Sequence, residues 1–336
     1  MIKDRFLSLF KTNLSELPVL IIFYARTTNV ITLIEQLQRL GILKIYIAFD
    51  GPRTLIVKER QEELLRFLDN QPDALQKSIS IWRRVENLGV GVSVITALDW
   101  FFSKVQYGAV LEDDLIVEDT FFPYLHHFLE VFEGNKDVAL ISGNRAQSLG
   151  NNSHSLSLVN YPQTWGWGTW RDRWHLMRLV AFSSSNLQKR INLNSVENFW
   201  HYGTKRVLKG LVDTWDIPIA NYMLQHDKVT VLPPVNLVSN IGNDSYATHT
   251  FVNMGHLSQP TKELLQIPNA DFPSMLTTIG RNNSLLEKYV FKVRRIHALL
   301  PIYSIFDSLR QIMLSLDNLE RRLENVVFPH ENIPSP

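Results

Sequence analysis

Residues 19–24 read VLIIFY and residues 44–49 read KIYIAF, and between them the apolar residues of 30–40 recur at helical spacing. A run that is apolar at nearly every position has no face to offer water. A strand of that kind needs both faces covered, which is the condition of a parallel sheet packed between helices. Parallel neighbours also need a crossover. The segment 30–40 supplies one, with Arg26-Thr27-Thr28-Asn29 as polar cap residues before it and Gly41 as a C-cap after it. Asp50-Gly51-Pro52 then ends the second run as a turn. The unit is strand–helix–strand with a right-handed crossover.

The alternation continues. Residues 59–68 read as helix, 79–85 as strand, 91–102 as helix, 109–111 as strand, 121–133 as helix and 138–142 as strand. The expected class is α/β, a Rossmann-like fold with a mostly parallel central sheet. After Gly143 the texture changes. Residues 144–164 are rich in Asn, Ser and Gln and read as loop, followed by a tryptophan cluster and then loops and short helices to about residue 250. Beyond Pro301, residues Ile302, Ile305, Phe306, Leu309, Ile312, Met313, Leu316, Leu319 and Leu323 recur every three or four positions, an amphipathic helix. The expected organisation is an N-terminal extension (1–17), a doubly wound α/β half (18–143), a second half of the same domain (144–284), and a C-terminal helical tail (285–336).

Bulk properties exclude several classes. The 34 basic and 33 acidic residues give a net charge of +1, without the basic excess of a nucleic-acid binder, so no nucleic-acid partner is expected. There is no cysteine, which removes disulfides, thiolate metal sites and cysteine nucleophiles and fits a reducing cytoplasm. The first 18 residues lack the apolar core of a signal peptide, and no uncharged apolar stretch reaches membrane-spanning length, so a soluble chain is expected. The loop after Tyr24 has no glycine before Gly41, against dinucleotide and P-loop binding, and no G-x-S-x-G elbow follows any strand.

The chemistry concentrates at Glu112-Asp113-Asp114, directly after the apolar run Ala109-Val110-Leu111. Three adjacent carboxylates repel one another unless a cation neutralises them, and Mg²⁺ or Mn²⁺ takes one or two carboxylates together with substrate phosphates. The position at a strand end matters because ligands of open α/β sheets bind beyond the carboxyl ends of the strands. Taken alone, the triplet is equally a solvated acidic turn.

Further pieces follow in order: Arg26 after the first strand, Asp50-Gly51-Pro52 after the second, Glu86-Asn87-Leu88-Gly89 before a helix, the triplet with Leu115, Trp165-Gly166-Trp167-Gly168-Thr169-Trp170, Thr214-Trp215-Asp216, residues 236–242 (NLVSNIG) and Thr248-His249-Thr250. This ordered set resembles GT-A fold glycosyltransferases of the N-acetylglucosaminyltransferase I-like group. It is still more similar to bacterial nucleotide-diphospho-sugar transferases of the "hemolytic protein"-like kind. The resemblance implies an inverting, metal-dependent transfer of a hexose or N-acetylhexosamine from a nucleotide-sugar donor, with Mn²⁺ or Mg²⁺. The implied acceptor is a saccharide or lipid-linked oligosaccharide of bacterial capsule or lipopolysaccharide, and the implied location is cytoplasmic or on the inner face of the cytoplasmic membrane.

By the same resemblance Asp114 is the metal ligand, Asp113 sits near the ribose or the metal's water shell, and Glu112 lies toward the donor sugar. Asp50 contacts base or ribose, though Asp-Gly-Pro alone is simply a turn. Arg26 reaches base or diphosphate, for which its forked guanidinium is suited. Asn87 and Gly89 belong to a loop whose backbone N–H groups approach the donor at a helix start. Trp167 represents the tryptophan cluster, of which one or two members face a sugar while the rest pack the core. His249 completes the metal or diphosphate site, although a lone His is more often an ordinary residue. Asp216 is the general base that deprotonates the acceptor hydroxyl, with Asp213 as its alternative and a helix N-cap as the plainer reading. The competing reading from another class is a catalytically degenerate scaffold of a polysaccharide-assembly complex. The tail has two readings as well. Lys288, Lys292, Arg294 and Arg295 with Tyr289 and Phe291 could dock on an anionic membrane, or the 302–323 stripe packs on its own domain or pairs in a homodimer.

Overall fold

The computed structural model describes residues 13–150, 155–187, 194–242, 260–291 and 293. A short 3-10 turn at Leu14–Glu16 leads into β1 (Pro18–Phe23), α1 (Thr27–Arg39), β2 (Lys44–Phe49), α2 (Leu55–Asp69), α3 (Asp73–Ser78), β3 (Ile79–Arg83), α4 (Val90–Lys104) and β4 (Tyr107–Glu112). Then come β5 (Leu115–Val117), α5 (Phe121–Val131), β6 (Val138–Ser142), β7 (Ser157–Val159), β8 (Trp167–Trp170), α6 (Arg171–Ala181), α7 (Ser195–Leu208), α8 (Asp216–Gln225), β9 (Val229–Leu232), β10 (Val238–Asn240), α9 (Phe272–Leu276) and α10 (Ile279–Tyr289).

One sheet of eight strands organises these elements in the order β3-β2-β1-β4-β8-β6-β9-β7. Strands β1 to β4 are mutually parallel, β8 runs antiparallel between β4 and β6, β9 is parallel to β6, and β7 is antiparallel at the edge. The mixed α/β class and the mostly parallel Rossmann-like sheet are as expected, with the order 3-2-1-4 in its first half. The apolar runs are explained by burial on both faces. Val19, Ile21 and Phe23 of β1 join one core with α1, α2 and α5, while Leu20 joins a second core with α4, α6 and α8. Helix α1 ends at Gly41 as expected, where the Ile42 N–H returns to the Leu37 carbonyl and Ile42 is buried.

The described residues between 144 and 242 depart from the expectation of loops and short helices. The tryptophan segment forms β8, an inner strand, with Trp167 opposite Val110 on one side and Ser142 on the other. Strands β7, β9 and β10 have three or four residues each, too short for a period to register. Helix α7 runs for 14 residues behind its cap Asn194, whose side chain accepts from the Val196 and Glu197 N–H groups. The expected helix at 302–323 lies outside the described residues. Among the described residues no helix is long and apolar enough to cross a membrane.

The α5 face carries a titrating group. His126 is buried with Nε2 3.1 Å from the Tyr107 hydroxyl, and burial holds its pKa below the ordinary histidine value. Glu130 and Glu16 oppose that shift, while His127 and Lys44 add to it. A histidine depressed in the fold stays neutral there while the unfolded chain takes up a proton, so stability is complete above the unfolded value and is lost as pH falls. The melting temperature should therefore decline as pH drops below about 6.5. By scanning fluorimetry across pH 5–8, His126→Gln should flatten that decline relative to wild type.

Candidate active site

The carboxyl ends of β1 and β4 lie side by side, with Ile22 opposite Glu112. Between them the strand order reverses, β1-β2-β3 running to one side and β4 lying on the other, which is where an open α/β sheet leaves a crevice. Asp113 closes its floor. One carboxylate oxygen accepts the backbone N–H groups of Tyr24, Ala25 and Arg26 at 2.8, 2.8 and 3.1 Å, and the other lies 3.1 Å from the Arg26 guanidinium. Asn29 donates to the carbonyls of Asp113 and Leu115, fixing the turn from behind. Asp113, expected near a ribose or a metal's water shell, is thus a buried internal anchor, and Arg26 is its ion-pair partner.

Asp114 is in the opposite situation. Its Oδ1 is buried without a hydrogen-bond partner. Burial, and next the charge of Asp113, raise its carboxyl to about 6, against the lowering effects of Arg26 and a hydrogen bond with the Asn240 side chain. Strand β10, paired antiparallel with β5, brings Asn240 alongside. Gly242 follows so closely that a Cβ there would lie 2.2 Å from Asp114 Oδ2. Asn240 also accepts the Gly242 N–H at 2.7 Å, so one amide side chain serves both the carboxylate and the backbone crossing it. Glu112 is half-buried at the end of β4, its carboxyl held well above the usual range by burial and then by Asp114, Asp113 and Asp216, in that order. Two neighbouring carboxylates and one from a segment far along the chain therefore act on Glu112.

Asp216 opens α8 and accepts a hydrogen bond from the Thr214 hydroxyl. Trp215 before it is buried and stacks on Trp167, with ring centroids 5.7 Å apart and planes 22° apart. Trp167, expected to face a ligand, is a core residue with 1% exposure that buttresses the Asp216 segment from below. Asp213 turns elsewhere. Its two oxygens accept the N–H groups of Val90 and Gly91, at 3.0 and 2.8 Å, at the start of α4.

The second group of expected residues lies at the ends of β2 and β3. Asp50 is buried and accepts from the Gly51 and Leu88 N–H groups and from the Asn87 side chain, at 2.9, 3.3 and 2.8 Å. Burial raises its carboxyl, opposed by those backbone donors and by Arg84. Asn87 also accepts from Arg53 at 2.6 Å and from the Gly89 N–H. Gly89 has φ +79°, a left-handed conformation that a side chain would strain. Arg84 was not singled out from sequence, Asn29 was read only as a helix-cap residue, and Asn240 only as a member of the 236–242 segment. Taken singly, their signal is polarity beside a strand end, which many inert residues share. His249 lies outside the described residues.

Among the described residues, no three His, Cys, Asp or Glu side chains are grouped to hold a metal by themselves. A hard divalent ion does not require such a group, because it takes one or two carboxylates and completes its shell with phosphates and water. An unpartnered, buried carboxylate oxygen on Asp114 fits that role, with Asn240 behind it.

No protein-family model matches this chain, and no curated protein does. Among solved structures the chain is similar to a glucose-1-phosphate thymidylyltransferase of Bacillus anthracis, crystallised in complex with sucrose. Identity is 14% and the TM-score 0.37, over 74% of this chain and 98% of that one. A likeness at that level decides nothing about chemistry, which rests on the site alone.

The two central aspartates should respond oppositely to neutralisation. Asp113→Ala leaves Arg26 and three N–H groups without their shared acceptor and should cost about 3 kcal/mol. Asp114→Asn removes a buried charge that has one unpartnered oxygen and lies beside like-charged Asp113, so in chelator-treated buffer it should be neutral or stabilising by about 1 kcal/mol. Urea unfolding of both variants reads the contrast directly.

Proposed function

We propose that this chain is an inverting, metal-dependent glycosyltransferase of the GT-A kind. It would transfer a hexose or N-acetylhexosamine from a nucleotide-diphosphate donor to a hydroxyl of a saccharide or lipid-linked acceptor. The observation that carries this reading is the convergence of Asp114, with its unpartnered buried oxygen, Glu112 and Asp216 at the carboxyl end of β4. Residues 18–143 would form the donor half and residues 144–284 the acceptor half.

In this reading the nucleotide lies across the ends of β1 and β2, between Arg26 and the Asp50–Asn87 pair. Mn²⁺ or Mg²⁺, when bound at Asp114, offsets the negative charge of the donor's diphosphate oxygens. Glu112 is placed to hydrogen-bond a hydroxyl of the donor sugar. Asp216 takes the proton of the acceptor hydroxyl as that oxygen bonds to the anomeric carbon. The bond from that carbon to the diphosphate oxygen breaks, and its electron pair leaves with the nucleotide diphosphate. Asp113 holds the β1 exit under Arg26, and its place beside the ribose or the metal's water shell is part of the same proposal. His249 remains part of the proposal as a further ligand to the metal or diphosphate.

The test is isothermal titration of UDP, GDP, dTDP and CMP, each with and without Mn²⁺, against wild type and Asp114→Ala. One nucleotide should bind only with metal, and the variant should lose it. Binding of none under any condition would sink the proposal and return the chain to a scaffold role. With the donor class known, Asp216→Asn should lower kcat on the order of 1,000-fold with nucleotide affinity unchanged.

A further inference from the structure

Two loops that the sequence separates by more than a hundred residues meet at the start of α4. The Asp213 carboxylate accepts the Val90 and Gly91 N–H groups, two of the amides that a helix start leaves without internal partners. No side chain from the helix's own flank caps it, because the preceding residue is Gly89. The contact is also tight. A Cβ at Gly89 would lie 2.4 Å from Asp213 Oδ2, and one at Gly91 would lie 2.9 Å from the Thr214 carbonyl oxygen.

The chain of contacts continues in both directions. Toward the donor side, the Gly89 N–H donates to Asn87 Oδ1, and the Asn87 amide donates to Asp50 Oδ2. Toward the acceptor side, Thr214 donates to Asp216, and Trp215 rests on Trp167. Asp216 thus sits at the end of a segment pinned at one point by a charged cap and at another by a ring stack.

We propose that Asp213 is a positioning residue. It docks the 213–216 segment onto the N-terminus of α4, holds Asp216 toward Glu112 and Asp114, and ties that segment to the Asp50–Asn87 loop. This inference rests on the proposed transfer reaction for its kinetic consequence, but the tether itself is a physical contact independent of it. A charged group at a helix N-terminus gains from the helix dipole as well as from the two hydrogen bonds. Its neutral amide analogue keeps one acceptor oxygen and loses the charge.

Hydrogen-exchange mass spectrometry and kinetics on wild type, Asp213→Ala and Asp213→Asn together test the proposal. In Asp213→Ala, amides of residues 89–92 and of residues 214–217 should lose protection together, and Asp213→Asn should restore part of it in both. If protection falls only in 89–92, or in neither, Asp213 is an ordinary exposed cap or no tether at all, and the inference is overturned. Where wild type transfers sugar, Asp213→Ala should lower kcat on the order of 100-fold with donor KM unchanged, because a misplaced base slows the chemical step without loosening the donor. Asp213→Asn should recover part of that loss. Unchanged kcat in Asp213→Ala, or an effect confined to KM, also overturns it. Absence of any transfer by wild type counts against the transferase reading alone, since the exchange experiment still decides the tether.

Discussion

The Asp113 carboxylate is the contact on which the rest of the site depends. Three successive backbone N–H groups, from Tyr24 to Arg26, point at one of its oxygens, and Arg26 returns to the other. Successive amides aimed at one anion form a preorganised nest, and here the anion belongs to the protein itself. The exits of β1 and β4 are thereby locked together at the point where the sheet's strand order reverses. Arg26, the start of α1 and the acidic turn are held in one rigid piece. With Asp113 turned into that nest, Asp114 is left against Asn240 and Gly242.

This arrangement separates two kinds of carboxylate that look identical in sequence. Asp113 and Asp50 are both buried and both receive backbone N–H groups together with a side-chain donor. Glu112 and Asp114 crowd one another, and their ionised forms are disfavoured by burial and by like charge. Groups left uncompensated in this way are costly to a fold. In the proposed reading a cation and the donor's diphosphate oxygens supply what the protein withholds. The scaffold bears that cost through two well-filled cores, one on each face of the sheet.

Much of residues 18–143 was legible from periodicity. The apolar runs at 19–24 and 44–49, the helical repeat between them and Gly41 after it each announce one local element, and the structure has them in place. The described residues of 144–242 were not legible in the same way. Trp167-Gly168-Thr169-Trp170 reads as a ligand-facing aromatic loop, yet it is a strand between β4 and β6. Its pattern has four residues, one of them glycine, and only its neighbours on both sides make it a strand. The same holds for β9 and β10, whose four and three residues are too few to show a period.

Sequence by itself determined that an acidic triplet follows a buried strand in an α/β chain. It also determined that Trp215-Asp216 stands ready elsewhere in the chain. Adjacent residues share spacing and chemistry, so nothing local could sort Asp113 from Asp114, or Asp213 from Asp216. Tertiary structure decided both. Asp113 meets amides from a loop 87 to 89 residues away, Asp114 meets Asn240, and Asp213 meets the start of α4 across 122 and 123 positions. The role of a carboxylate is set by which donors surround it. Donors supplied from that far along the chain exist as neighbours only once the sheet has assembled.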